Sequence, residues 1–292
     1  MVYLIFLLII ACANNNAETN SIHVSAFNLD KKTFAKLPKK LNELSGLAMT
    51  SDGRLFGHND EKADIFQIEY SDGSIIKSFS LGEKSLKKDF EGIAIVDEMF
   101  YLVTSGGELY EFKEGEDESS VLYKKYKTKL SSKNDVEGLC YDPVSNSLLL
   151  ACKGDPGKKY DGYRAVYSFS LTEKKLRKKP RFLISIEEVK KHDDSDLAQK
   201  LGEFFLLTED KFAPSGIERH PSTNSYFILS SQGRRIVQIS EAGEIMGVIM
   251  LDKKHHNQPE GITFSKNLSL LIGDEAGSGK AKVTQYPAVR NK

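Results

Sequence analysis

Five short segments place a carboxylate or a hydroxyl directly before a glycine. They are Leu44-Ser45-Gly46-Leu47, Phe90-Glu91-Gly92-Ile93, Val136-Glu137-Gly138-Leu139, Pro214-Ser215-Gly216-Ile217 and Pro259-Glu260-Gly261-Ile262. If these segments occupy equivalent places in a repeated fold, Ser45, Glu91, Glu137, Ser215 and Glu260 form a ring about one axis. Carboxylates brought that close repel, so either their pKa values rise or a cation sits among them. Oxygen ligands without an ordered Cys or His set suit Ca²⁺, with Mg²⁺ second, rather than Zn²⁺. A further tier follows each motif glycine by 12 to 17 residues: His58, Asn59, Asp60, Thr104, Ser105, Lys153, Asp155, Ser231, Gln232, Asp274 and Glu275. It is expected to rim one face. The ring's candidate metal ligands are therefore Glu91, Glu137 and Glu260, with Ser45, Ser215, His58 and Asn59 lining the channel. The competing role is structural, with the residue before each glycine bonding backbone amides of a neighbouring repeat.

The elements that position such a ring follow from the spacing. The motif glycines lie 46, 46, 78 and 45 residues apart, one interval being a period plus about 32 extra residues. After each motif comes a short apolar strand, a turn such as Ser51-Asp52-Gly53, a returning strand such as Leu148-Leu149-Leu150-Ala151, and an alternating strand such as Asp64-Ile65-Phe66-Gln67-Ile68. Asp-Gly turns between alternating runs are hairpin signals, and four strands per period of about 45 residues describe a β-propeller blade. A sixth blade would need a motif near residue 184, where Leu183-Ile184-Ser185-Ile186 has no glycine. The fold class is thus all-β, a five-bladed propeller, with six blades as the alternative. The last motif is followed by too few strands, and Ile22–Phe27 is expected to supply the missing one and close the ring. The insert, residues 186–212, is the one helical region, with Ser185 and Asp196 as helix caps and Leu197, Leu201, Phe204 and Phe205 at helical spacing. It packs over the rim or acts as a lid.

With Gly57-His58-Asn59-Asp60 after the first motif and Gln258-Pro259-Glu260-Gly261-Ile262 at the last, the motif series resembles the SdiA-regulated (YjiK-like) family of exported bacterial β-propellers. The resemblance spans roughly residues 40–285. It implies a channel cation site on Glu91, Glu137 and Glu260, and supplies no reaction. There is a looser likeness to gluconolactonase-type and phytase-like propellers, the former of which place a Glu or Asn before such a Gly and an Asp on the next strand as metal ligands. By position Asp60 and Asp274 are the analogous residues, while Ser45 and Ser215 depart from an all-ligand ring.

Residues 2–11, VYLIFLLIIA, are too short an apolar run to span a bilayer and suit a signal peptide. Ile9-Ile10-Ala11-Cys12 resembles a bacterial lipobox, which implies cleavage before Cys12 and lipid on that residue, although the segment before it carries no Lys or Arg. The expected organisation is a signal peptide at 1–11, a lipidated Cys12 with a polar tether through residue 21, and one propeller domain over 22–292. Double acylation anchors a protein stably. The expected location is the bacterial cell envelope, and Ala13 after the cysteine points to the outer membrane.

Composition bounds the rest. The chain of 292 residues carries 41 Lys+Arg and 41 Asp+Glu, a net charge of zero that argues against a nucleic-acid partner. Three cysteines exclude a disulfide scaffold, and Cys140 falls opposite Leu149 or Leu150 rather than Cys152, so both are expected as buried thiols. Gly273–Lys280 has phosphate-loop glycines out of register and Ala281 where Ser or Thr is required, so it is expected to be a turn. The basic run Lys174–Arg181 is expected on an outer, solvated edge, and His255-His256 in a solvated loop. No Ser/His/Asp triad is identifiable. Three functions follow as expectations: a monomeric, membrane-tethered propeller that binds Ca²⁺ and an unidentified ligand on one face; a metal-dependent phosphoesterase or lactonase with Asp60, His58 or Asp274 as base; and a metal-free interaction platform.

Overall fold

A computed structural model describes residues 27–192 and 212–289. Its strands form five sheets arranged as the blades of a propeller, antiparallel but for Ser120–Val121, which pairs in parallel with Ile75–Leu81 of the preceding blade. The innermost strands are Leu44–Met49, Phe90–Val96, Val136–Asp142, Ala213–Arg219 and Pro259–Phe264, each opening with one of the repeated motifs. Each innermost strand packs on the innermost strands of both neighbouring blades. No sixth sheet is present among the described residues.

The blades hold together by burial between them. Five apolar clusters each join one blade to the next. Phe56, Phe79, Phe90, Phe100 and Phe112 fill the gap between the first two blades, while Phe27, Phe227 and Phe264 fill that between the last two. The ring rings of Phe56 and Phe100 meet edge-on at 5.0 Å, the favoured aromatic geometry. The motif glycines explain how five inner strands crowd one axis. A Cβ on Gly92 would lie 2.8 Å from the backbone nitrogen of Leu139, and one on Gly138 would lie 2.9 Å from the backbone of Gly216. At Gly92, Gly138, Gly216 and Gly261 the next blade's backbone comes in, while Gly46 makes room for the His58 side chain.

Ring closure differs from the sequence expectation. The strand that completes the last blade is Thr33–Lys36, paired with Lys282–Tyr286, and not Ile22–Phe27. Residues 22–26 lie outside the described residues, and Phe27 makes an isolated bridge to Ala288. The repeat accounts for this. The connections from outer strand to next inner strand cover residues 82–89, 128–135 and 251–258, eight residues each, and the closing strand leaves a comparable seven, 37–43. A strand ending at Phe27 would leave twice that.

The helix at the start of the insert forms as Ile186–Lys191. The Ser185 hydroxyl accepts from the Glu188 amide at 3.2 Å, and Val189 packs against the third and fourth blades. The expected second helix and lid fall outside the described residues. Cys140 pairs with Leu149, and Cys140 and Cys152 are free and buried, as the strand count required. Lys175–Leu176 is an outer strand, and Glu275–Lys280 lies in the connection after Leu270–Asp274, so both bland readings of those segments hold. No helix of the described residues is long and apolar enough to cross a membrane.

Candidate functional site

The inner strands begin, and the second strands end, on the same face, so the residues before the motif glycines and the rim tier meet there. The ladder is irregular at Glu91, Glu137, Ser45, Ser215 and Glu260: each falls at a register shift, one residue before the glycine. A β-bulge re-aims the side chain it carries. Glu91, Glu137 and Glu260 line one axial space of about 10 Å³, room for a single water-sized occupant. The three glutamates of the predicted ring thus share one space, which neither Ser45 nor Ser215 lines.

Its members are unequally satisfied. The Ser45 hydroxyl donates to Glu91 Oε2 at 3.2 Å. Lys153 Nζ sits 2.7 Å from Glu137 Oε1 and 3.8 Å from Asp135 Oδ2, so the third blade carries its own counter-ion. Ser215 serves the structural role: its hydroxyl donates to the Pro259 carbonyl at 2.9 Å and accepts from the Ser231 amide at 3.0 Å, tying two blades. Burial, then the Glu137 charge, holds the Glu91 carboxyl well above the usual range. Burial pushes Glu137 up as well, against the pull of Lys153. Burial and Glu137 push Glu260 up to about 8.

The rim extends the acidic character. Asp89 and Asp135 precede Glu91 and Glu137 by two residues, and Glu43 holds the matching place before Ser45. Burial and the facing Glu43 carboxyl raise Glu275, whose other oxygen accepts from Gln258. Burial raises Asp60 too, with Glu43 and Glu61 adding to it.

Two of the candidate ligands stand apart from the axis. Asp60 lines a separate cavity with Lys40, Glu43 and Asn59, where its Oδ1 accepts from the Glu61 amide at 2.6 Å. Asp274 is 1 % exposed, and its Oδ2 meets His256 Nδ1 at 2.8 Å. His256 Nε2 in turn meets the Tyr286 hydroxyl at 2.6 Å. Thus His256 is a buried core residue rather than part of a solvated loop, while His255 is half-exposed beside Asp252. Sequence reasoning missed this because nothing in a His-His pair distinguishes the residue that turns inward. Asn59 lines the Asp60 cavity and donates to the Lys40 carbonyl at 2.7 Å. His58 is fully enclosed behind Gly46, its Nδ1 2.9 Å from the Asn59 carbonyl, and burial lowers it to about 4, so it stays neutral. It is wall rather than channel lining. Among the described residues no three His, Cys, Asp or Glu side chains form a ready-made metal-ligating group. Glu137 is turned to Lys153 and Glu91 to Ser45.

The comparisons with known proteins agree with the fold. The family model described as SdiA-regulated matches residues 20–278. Among solved structures, a luciferin-regenerating enzyme aligns with a TM-score of 0.53 at 11% identity, covering 88% of this chain and 95% of its own. A glutaminyl cyclase of Myxococcus xanthus aligns with a TM-score of 0.53 at 12% identity, covering 88% of this chain and 96% of its own. At such identities the likeness is one of fold. No curated protein matches the chain by sequence.

Proposed function

The chain belongs to the SdiA-regulated family, and from that premise we propose that it is a binding propeller that takes up a divalent cation, calcium foremost, at the acidic mouth of its channel. One observation carries the reading. Glu91, Glu137, Glu260 and Glu275 on one face are all held above their ordinary range, and among the described residues Lys153 is the cation set against the axial ring. A divalent ion between Glu91, Glu137 and Glu260 would relieve that repulsion. The side chains are not preset for it, so uptake requires Glu137 to leave Lys153 and Glu91 to leave Ser45. A hydrolase needs an open metal position beside a substrate pocket. The axial space of about 10 Å³ supports binding over turnover. The same proposal places the protein in the bacterial cell envelope as a monomer tethered through lipid on Cys12, a position outside the described residues. Loss of membrane fractionation in Cys12→Ser is the check on that part.

The test of the cation site is thermal unfolding of chelator-treated protein with and without millimolar CaCl₂ or MgCl₂. A micromolar site saturated at millimolar ion stabilises the folded state by about 4 kcal/mol. The expected result is a Ca²⁺-dependent rise in Tm that Glu91→Gln and Glu260→Gln abolish. A wild-type protein indifferent to both ions overturns the proposal and leaves an interaction platform.

A further inference from the structure

At the end of the axis opposite the glutamate ring, the channel widens into a cavity of about 400 Å³. All five blades contribute to its lining: Met49, Ile95, Tyr141, Arg219 and Phe264 hold the same place in their repeats, three residues after the motif glycine. The position before, two residues after the glycine, is Ala48, Ala94, Cys140, Glu218 and Thr263. Four blades thus place a small residue there, and small residues leave space near the axis. The fourth blade alone places a carboxylate there, and Glu218 lines the cavity.

The surroundings of Glu218 select the sign of a ligand. Its Oε1 accepts from the Arg219 amide at 2.8 Å, and its Oε2 accepts from the Thr263 hydroxyl at 3.3 Å. The Arg219 guanidinium is already engaged, with Nη2 donating to Asn224 at 2.5 Å and Nε 3.7 Å from Asp142. Asp97 and Lys266 at the outer lip offset each other in charge. The charge without a matched partner in the inner cavity is that of Glu218. Burial pushes it up to about 7 against the opposing pull of the Arg219 amide, Thr263 and the Arg219 charge, so its charge is only partly compensated. The aromatic rings of Tyr141 and Phe264 and the apolar chains of Met49 and Ile95 supply the remaining wall. Aromatic faces attract cations, and apolar walls bind a hydrocarbon body.

We propose that this second cavity is a binding site for a small organic ammonium ion with an apolar body, its amine paired with Glu218 and its body against Met49, Ile95, Tyr141 and Phe264. The site is distinct from the glutamate ring and stands independently of it.

The experiment is ligand-observed and protein-observed NMR titration of the whole protein with benzylammonium, its neutral isostere benzyl alcohol, and the anion phenylacetate, each at millimolar concentration. A hydrogen bond to a charged group contributes enough for about a ten-fold preference. Benzylammonium is expected to bind about ten-fold more tightly than benzyl alcohol, and phenylacetate least. Glu218→Gln, which keeps the shape and removes the charge, is expected to erase the preference. Met49→Trp, which fills the mouth, is expected to block both ligands, and Glu187→Gln, an exposed carboxylate on the insert helix away from the cavity, is expected to change neither. Equal affinity for the amine and the alcohol, tighter binding of phenylacetate, a preference that survives Glu218→Gln, or absence of any binding to the wild type overturns the proposal.

Discussion

The two ends of the axis are built from the same repeated strand and come out opposite. At one end three of the five residues before the glycines are glutamates, and the axial space they line is about 10 Å³. At the other end the equivalent positions are small in four blades, and a cavity of about 400 Å³ opens. Charge differs as well. The closed end gathers several carboxyls against Lys153, whereas the open end holds a single inward carboxyl, Glu218, among apolar walls. The comparison teaches that a repeat position carries architecture by default, and that chemistry is marked where one blade departs from the others. Ser215, which keeps the repeat position but bonds backbone across two blades, is the architectural case. Glu218 is the departure.

The largest effect expected concerns what both ends share, the glycine ring. Gly138→Val would press a branched side chain into the Gly216 backbone, where even a Cβ would stand 2.9 Å away. Backbone cannot yield as a flexible side chain can, so a loss of about 4 kcal/mol or more is expected in denaturant unfolding. Gly106→Ala, in a turn where the nearest atom to a Cβ is 3.9 Å away, is the control and should stay within about 0.5 kcal/mol. If Gly138→Val were tolerated, the crowding that defines both ends of the channel would not exist.

Next comes the contrast between the two rim aspartates, which the motif spacing treated as equivalent. Asp274→Ala leaves His256 buried with Tyr286 as its one remaining partner, at a cost of about 1–3 kcal/mol. Asp60→Ala removes a carboxyl whose own burial already disfavours its charge, so unfolding is expected to change little or to show a small gain. Equal losses for the two would mean that Asp60 has a structural partner the geometry does not give it.

Much of this was legible from the chain alone. Glycines at a spacing of 46 residues gave the blade, the blade count and the face on which Glu91, Glu137 and Glu260 meet, because a repeat position fixes location whatever the tertiary detail. The closing strand was also recoverable. The eight-residue link to inner strands is a repeat feature and points to Thr33–Lys36, although Ile22–Phe27 is the more apolar run. Lys153 as counter-ion to Glu137 was not legible, since Lys153 lies 16 residues on, just past the end of the next strand, and only the folded register brings the two within 2.7 Å. The His256–Asp274–Tyr286 chain joins a loop to two strands and has no local pattern at all. Glu218 had a signal, a lone acid at a column of Ala, Ala, Cys and Thr, visible once the repeats are stacked beyond the glycine.

The smallest effect sharpens the open end. A carboxyl whose folded pKa lies above its unfolded value binds its proton more tightly in the native state, so its contribution favours folding at low pH and is lost as pH rises. For Glu218, held near 7 by burial and opposed by the pull of Arg219, the loss runs from the ordinary glutamate value near 4.5 up to about 7 and then levels off. Glu218→Gln has no such titration. Wild type and variant should therefore unfold at similar denaturant concentrations at pH 4, with the variant pulling ahead by about 1–2 kcal/mol at pH 8. The variant keeps Thr263 and the Arg219 amide as neighbours, so packing alone predicts a difference that does not change with pH. An unchanging difference would mean that the Glu218 carboxyl is solvated and the cavity floor is not the low-dielectric surface an ammonium ligand requires.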